Sequence, residues 1–176
     1  IKIMYRNYGH FVFWFNENLY KEYSKGYYII TDSDIVPNEQ LPKNYISQMI
    51  SVLDKYKKIT KVGFALKIDD IPDSFAEKQK VLDWEKQFWD NKIENNLYLA
   101  GLDTTFALYQ PRYRFFYENY YNAIRMAGGF TAKHGGWYID SKNLTEEDKF
   151  YYETANTSNS WKVDSEGNFI GDALYN

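Results

Sequence analysis

Cysteine is absent from this chain of 176 residues, which excludes a disulfide framework and a zinc–thiolate centre and leaves the redox character of its compartment open. Histidine occurs only 2 times, so each one carries weight in any argument about metal ligands. No stretch approaches the ~20 continuous apolar residues that a membrane span needs, and the opening Ile1-Lys2-Ile3-Met4 lacks a charged-then-apolar signal pattern. A soluble, cytoplasmic chain is therefore expected, with peripheral contact to a membrane left open. Excess positive charge is missing as well. The formal net charge of −3 argues against a nucleic-acid binder, whose affinity rests on many phosphate contacts. The dinucleotide signature Gly-x-Gly-x-x-Gly, the P-loop and Gly-x-Ser-x-Gly do not occur, so dehydrogenase, P-loop NTPase and serine hydrolase readings have no support.

What the chain has in excess is aromatic side chains: 18 Tyr, 12 Phe and 5 Trp. Tyr and Trp present a flat apolar face with a polar edge, which suits stacking on sugars, although most of such a count fills a core. The length suits a single domain over residues 1–176. A start without Met that runs straight into strand-like text leads us to expect residues upstream.

Hydrophobic spacing predicts a strand over 2–5 and a turn at 6–10. A helix follows, marked by Phe11, Phe15 and Leu19 and closed by Gly26, and then a strand over 27–31. Ile46, Met49, Ile50 and Leu53 mark an amphipathic helix that runs into a lysine-rich turn, and 62–68 reads as a strand. A long helix is expected from Ser74, carrying Val81, Trp84 and Phe88 on one face. Strand-like text returns at 97–99, 104–109 and 124–126. Thr145-Glu146-Glu147-Asp148 resembles a capped helix start, and 161–170 suggests a terminal hairpin. Strands alternating with helices imply an α/β sandwich with a mostly parallel central sheet flanked by helices.

The chemistry is best marked at Tyr27-Tyr28-Ile29-Ile30-Thr31-Asp32-Ser33-Asp34-Ile35-Val36-Pro37, where Asp-x-Asp falls at the end of a buried strand. Ligands of α/β sheets bind outside the carboxyl ends of strands. Two carboxylates at i and i+2 around a bend can face a hard divalent cation, which prefers oxygen ligands. That is the arrangement of a metal clamp for a phosphorylated substrate, although Asp side chains also cap backbone amides in ordinary turns. Asn7 and His10 lie at a strand-to-helix turn expected at the same edge. Asp103 sits in a second polar interruption, Gly101-Leu102-Asp103-Thr104-Thr105, and His134 lies between Gly128-Gly129 and Gly135-Gly136, next to Lys133. Asp140, which follows Tyr138-Ile139, is a second candidate base beside Asp103.

Four segments together resemble the glycosyltransferases of the GT-A fold, of the kind that build bacterial or viral surface polysaccharide and glycan chains. They are Asn7-Tyr8-Gly9-His10 with Trp14, Thr31 through Pro37, Ala100-Gly101-Leu102-Asp103-Thr104-Thr105-Phe106-Ala107-Leu108-Tyr109, and Lys133-His134-Gly135-Gly136-Trp137-Tyr138. The resemblance spans most of the chain but lacks the opening β-α-β unit. It therefore implies an N-terminally truncated, Rossmann-like domain that comprises the central and C-terminal part.

It also implies a metal-dependent, inverting transfer from a nucleotide-diphosphate sugar to a glycan or lipid-linked saccharide acceptor. Asp32 and Asp34 would hold Mn²⁺ or Mg²⁺ with His134 as third ligand, and Asp103 would be the base. Asn7, His10 and Lys133 would position the donor. Thr104, Trp137 and Tyr138 would contact sugar. The alternative is a non-catalytic carbohydrate-binding or assembly module, and a metal-dependent phosphohydrolase is a third possibility.

Overall fold

The run Lys61-Val62-Gly63-Phe64-Ala65-Leu66 does not alternate apolar with polar as a half-exposed strand would, and such a run suits a strand covered on both faces. In the computed structural model, which describes residues 2–5, 8–9, 11–140 and 142–154, this run is strand β3 (Lys61–Leu66), buried at every position. Around it lie β1 (Tyr28–Ile30), β2 (Ile35–Pro37), β4 (Lys92–Glu94), β5 (Leu97–Leu99), β6 (Ala107–Tyr109) and β7 (Ala123–His134). The sheet order is β1-β6-β3-β7-β5-β4, with β2 paired to the far part of β7.

The expected mostly parallel sheet is not what forms. Among the described residues only β3 and β7 pair in parallel, and β1–β6, β3–β6, β2–β7, β5–β7 and β4–β5 are all antiparallel. The reason is one of connection. β6 inserts between β1 and β3 and runs against both, and the stretch between β3 and β7 contains the β4–β5 hairpin instead of a lone crossover helix. Alternating helix and strand text cannot show a strand that inserts between two earlier ones.

Two aromatic-rich layers cover the sheet. Val62, Phe64, Leu108, Ile124 and Met126 pack against Met49 and Leu53 of α3 (Tyr45–Lys55), the amphipathic helix expected from its spacing. On the other side Ala107, Tyr109 and Ala123 meet Trp14 of α1 (Val12–Phe15), Tyr20 of α2 (Glu17–Tyr23) and Tyr120. The single helix predicted after Phe11 is thus broken in two. Asn16 breaks it, because its side-chain oxygen accepts from the Asn18 and Leu19 amides and caps α2.

The predicted strand over 2–5 has no regular structure. The helix expected from Ser74 begins only at α4 (Lys78–Lys86) and ends in a 3₁₀ turn, Gln87–Trp89. α5 (Glu146–Thr154) opens on the anticipated cap: Thr145 Oγ1 accepts from the Asp148 amide at 3.1 Å, and Asp148 Oδ2 accepts from the Thr145 amide at 2.9 Å. The proposed hairpin over 161–170 lies outside the described residues, and among those described no helix is long and apolar enough to cross a membrane.

β7 bends where Phe64 pairs with Met126 but Ala65 pairs with Thr131, so residues 127–130 bulge out of the ladder, helped by Gly128 at φ 65°. A different glycine fixes how closely the next loop approaches. A Cβ on Gly63 would lie 2.4 Å from Leu102 Cδ2 and 2.9 Å from the Thr105 carbonyl oxygen, so β3 and the 101–105 loop can touch only because this residue has no side chain. Gly63→Ala is expected to lower stability by about 2 kcal/mol through overpacking, read as a lower denaturation midpoint at unchanged m-value.

Candidate active site

β1 and β3 share one direction because both run antiparallel to β6, and β3 is parallel to β7. Their carboxyl ends therefore open on one edge, together with the loop that enters β6. Asp32 and Asp34 follow β1, residues 101–105 precede β6, and His134 ends β7. Three polar segments scattered along the sequence thus meet at one edge of the sheet.

Asp32 is bound to the β6 loop by its backbone and its side chain. Its amide donates to the Thr104 carbonyl oxygen at 3.2 Å, and the Thr104 hydroxyl lies 2.8 Å from both carboxylate oxygens. Burial raises the Asp32 carboxyl above its ordinary value, and the nearby charges of Asp103 and Asp34 push it the same way, outweighing Thr104 and His134. Asp32 is therefore a carboxylate crowded by other acids. Asp34 is different. Burial works against its charge too, but His134 Nδ1, 3.1 Å from Asp34 Oδ2, and the Gly136 amide, also at 3.1 Å, prevail and hold it below the usual carboxylate range.

The His134 ring stacks on Trp137 at 5.0 Å between centroids and 13° between planes, which fixes the imidazole against the wholly buried indole. The adjacent pairing of Ile35 with His134 makes the Asp34 contact a consequence of sheet register. Asp34 and His134 therefore meet each other, and the charges of both act on Asp32. Among the described residues no group of three or more acidic, histidine or cysteine side chains is spaced to hold a metal ion.

Asp103 is exposed and stands near this cluster, close enough that its charge acts on Asp32. Its Oδ1 accepts from the Tyr120 hydroxyl at 2.9 Å, and its carbonyl oxygen accepts from Lys61 Nζ at 3.0 Å. Arg125 Nε donates to the Gly101 carbonyl oxygen at 2.7 Å, while its Nη1 pairs with Glu85 of α4 at 2.7 Å in a buried ion pair. Two buried cations thus each donate to a carbonyl of the loop that carries Asp103.

Several sugar-binding expectations find other employment. Thr104 is buried with its hydroxyl committed to Asp32, and Trp137 has its face on His134, so neither offers a surface to a sugar. Successive residues of a strand face opposite sides. Lys133 accordingly turns away from His134, pairs with Asp70 at 3.1 Å and lies over the Tyr138 ring, whose hydroxyl also donates to Asp70. Lys133 and Tyr138 thus belong to an Asp70 cluster apart from the acid pair. Asp140 accepts from the Lys142 amide and the Asn143 side chain and so closes a turn. Asn7 and His10 lie outside the described residues.

Three residues near the acids escaped the sequence reading. Lys61 was expected to close the lysine-rich turn over 55–61, whereas it opens the apolar strand β3. Tyr120 lay in a loop full of tyrosines with nothing to single it out. Tyr151 of α5 stands close enough to Asp34 and Asp32 that, after burial, their charges raise its phenol.

Lys61 is wholly buried, with Tyr109 Oη at 3.2 Å and the Tyr120 ring centroid at 3.4 Å from Nζ. Burial pushes its ammonium down to about 7, against the pull of Asp103. Above that pH the folded chain has shed a proton that the unfolded chain still holds, so stability rises with pH from about 7 toward the ordinary lysine range. Denaturant titrations at pH 6 and pH 9 should show a gain of about 2 kcal/mol in the wild type and a flatter profile in Lys61→Met.

Comparison of the chain with protein-family models, curated proteins and solved structures gave no match.

Proposed function

We propose that the chain is a metal-dependent glycosyltransferase that moves a sugar from a nucleotide-diphosphate sugar to a glycan or lipid-linked saccharide, with inversion. One observation carries the proposal: Asp32, Asp34 and Asp103 act on one sheet edge, where Asp32 is held by a neutral hydroxyl and crowded by like charge. Carboxylates so arranged favour a cation that prefers oxygen. Asp32 and Asp34 would hold it, with His134 orienting Asp34, and a cation there would neutralise the donor's diphosphate. Within the reaction, Asp103 takes the acceptor hydroxyl proton as that oxygen bonds to the anomeric carbon. The bond to the diphosphate oxygen breaks, and the leaving nucleotide keeps the electron pair.

The test is thermal shift with UDP- and GDP-sugars, with and without Mn²⁺, combined with a transfer assay. Native-state ligands raise the melting temperature by linkage. The wild type should be stabilised by donor only with the metal present, and Asp34→Ala should lose both that shift and turnover. Metal-independent stabilisation by saccharides alone would instead favour a binding module, for which exposed Phe116, Tyr117 and Tyr121 supply aromatic surface.

A further inference from the structure

We infer that Tyr120 is a positioning residue for the base, holding the Asp103 carboxylate in the orientation that meets an acceptor hydroxyl, with Lys61 locking both in place. This rests on the assignment of Asp103 as the base. Asp103 is exposed and carried by a loop, and an exposed aspartate on a loop samples several rotamers unless something restrains it. Here the restraint is specific. The Tyr120 hydroxyl donates to Oδ1 at 2.9 Å, which uses one oxygen and leaves the carboxylate with a second for proton transfer.

Tyr120 itself is anchored. Its ring is fully buried, with edge contacts to Trp14 at 5.6 Å and Phe11 at 5.8 Å and a tilted contact to Phe115 at 4.8 Å. Burial first, then Tyr109 and Asp103, keep its phenol far above the usual range, so it remains a donor throughout the working pH range. Below the ring, Lys61 Nζ sits 3.4 Å from the centroid and also donates to the Asp103 carbonyl oxygen at 3.0 Å. One ammonium therefore touches both the residue that gives the hydrogen bond and the backbone of the residue that receives it. A purely structural tyrosine in this aromatic layer needs neither contact. The hydroxyl reaches Asp103 and the Tyr109 phenol while the ring makes the packing contacts, so the oxygen can be removed with the ring left in place.

Catalysis is sensitive to small misplacements of a reacting group, and loss of orientation appears in kcat more than in donor binding. Three proteins decide the matter in the transfer assay: wild type, Asp103→Asn and Tyr120→Phe. Asp103→Asn should abolish turnover. Tyr120→Phe should lower kcat about thirtyfold, leave donor KM within about twofold and lower the melting temperature by only about 3 °C, the cost of a lost hydrogen bond. If Asp103→Asn is inactive but Tyr120→Phe keeps full kcat, or loses activity only in proportion to lost folded protein, the positioning role is overturned and the base assignment stands. If Asp103→Asn turns over normally, or the wild type shows no transfer, the base assignment fails and the inference goes with it. Lys61→Met checks the lock: it should also lower kcat, by a smaller factor than Tyr120→Phe, and an unchanged kcat would remove Lys61 from the arrangement.

Discussion

Asp32→Asn is expected to reduce glycosyl transfer by about a thousandfold while making the protein harder to unfold. The two effects share one cause. The Asp32 carboxyl is buried beside Asp103 and Asp34, and its raised titration range means that ionisation is opposed in the folded state. The folded chain holds that proton more tightly than the unfolded chain, so the group favours the fold at low pH and loses that contribution as the pH rises through its folded value. Asparagine has the same shape, can still accept from the Thr104 hydroxyl and carries no charge to be repelled. We expect a gain of about 1 kcal/mol at neutral pH, seen as a melting temperature roughly 3 °C higher, and a weaker loss of stability as the pH rises above the ordinary carboxylate range. The same substitution removes an anionic ligand for the proposed cation, and several kcal/mol of charge stabilisation corresponds to the thousandfold loss. Calorimetry and initial-rate assays on the two proteins check both halves. An Asp32→Asn protein that is less stable than wild type, yet fully active, would show that the carboxylate serves the fold alone.

Glu85→Leu is expected to be the most damaging single change to stability, at about 4 kcal/mol or roughly 10 °C in melting temperature. Glu85 and Arg125 pair at 2.7 Å with side chains only 4% and 6% exposed. Burial raises the Glu85 carboxyl despite the pull of Arg125. Removing the acid leaves a guanidinium without its counter-charge, over the Phe88 ring at 3.8 Å and bonded to the Gly101 carbonyl oxygen. The double variant Glu85→Leu/Arg125→Met removes both charges and should recover most of the loss, because well-packed apolar residues often replace a buried ion pair without penalty. It should not recover activity in full, since the Gly101 carbonyl loses its donor and the loop before Asp103 loosens. A double variant as unstable as the single one would locate the energy in packing instead of charge.

These expectations show where sequence was informative. The acid pair was legible because Asp32 and Asp34 interrupt a run of apolar residues, and the place of the interruption at a strand end follows from that pattern alone. α3 was legible for the same kind of reason, since Met49, Ile50 and Leu53 repeat at helical spacing. His134 was singled out by its rarity and its glycine neighbours, and it does reach Asp34. Its partner could not be foreseen, because the contact depends on Ile35 lying opposite His134 in the β2–β7 register.

What stayed hidden was long-range. Sheet direction depended on β6 inserting between β1 and β3. The 12 residues of β7 looked like a short strand followed by a glycine loop, since Gly128 and Gly129 are ordinarily read as strand breakers. They are in fact the bulge that lets one strand continue. Lys61 was placed in the turn because it follows other lysines, and the aromatic layer above it, drawn from residues 109 and 120, makes a buried site for it.

The place of β7 in the chain also bears on how the protein comes to be made. β3 meets its parallel partner roughly sixty residues later, and β2 and β5 wait for that same partner. A nascent chain emerging from the ribosome therefore carries the edges of β2, β3 and β5 that face β7 unpaired until residue 134 is released, and pairings so distant along the chain are slow to close. Synthesis should pass through an interval of chaperone dependence that ends abruptly once β7 clears the exit tunnel.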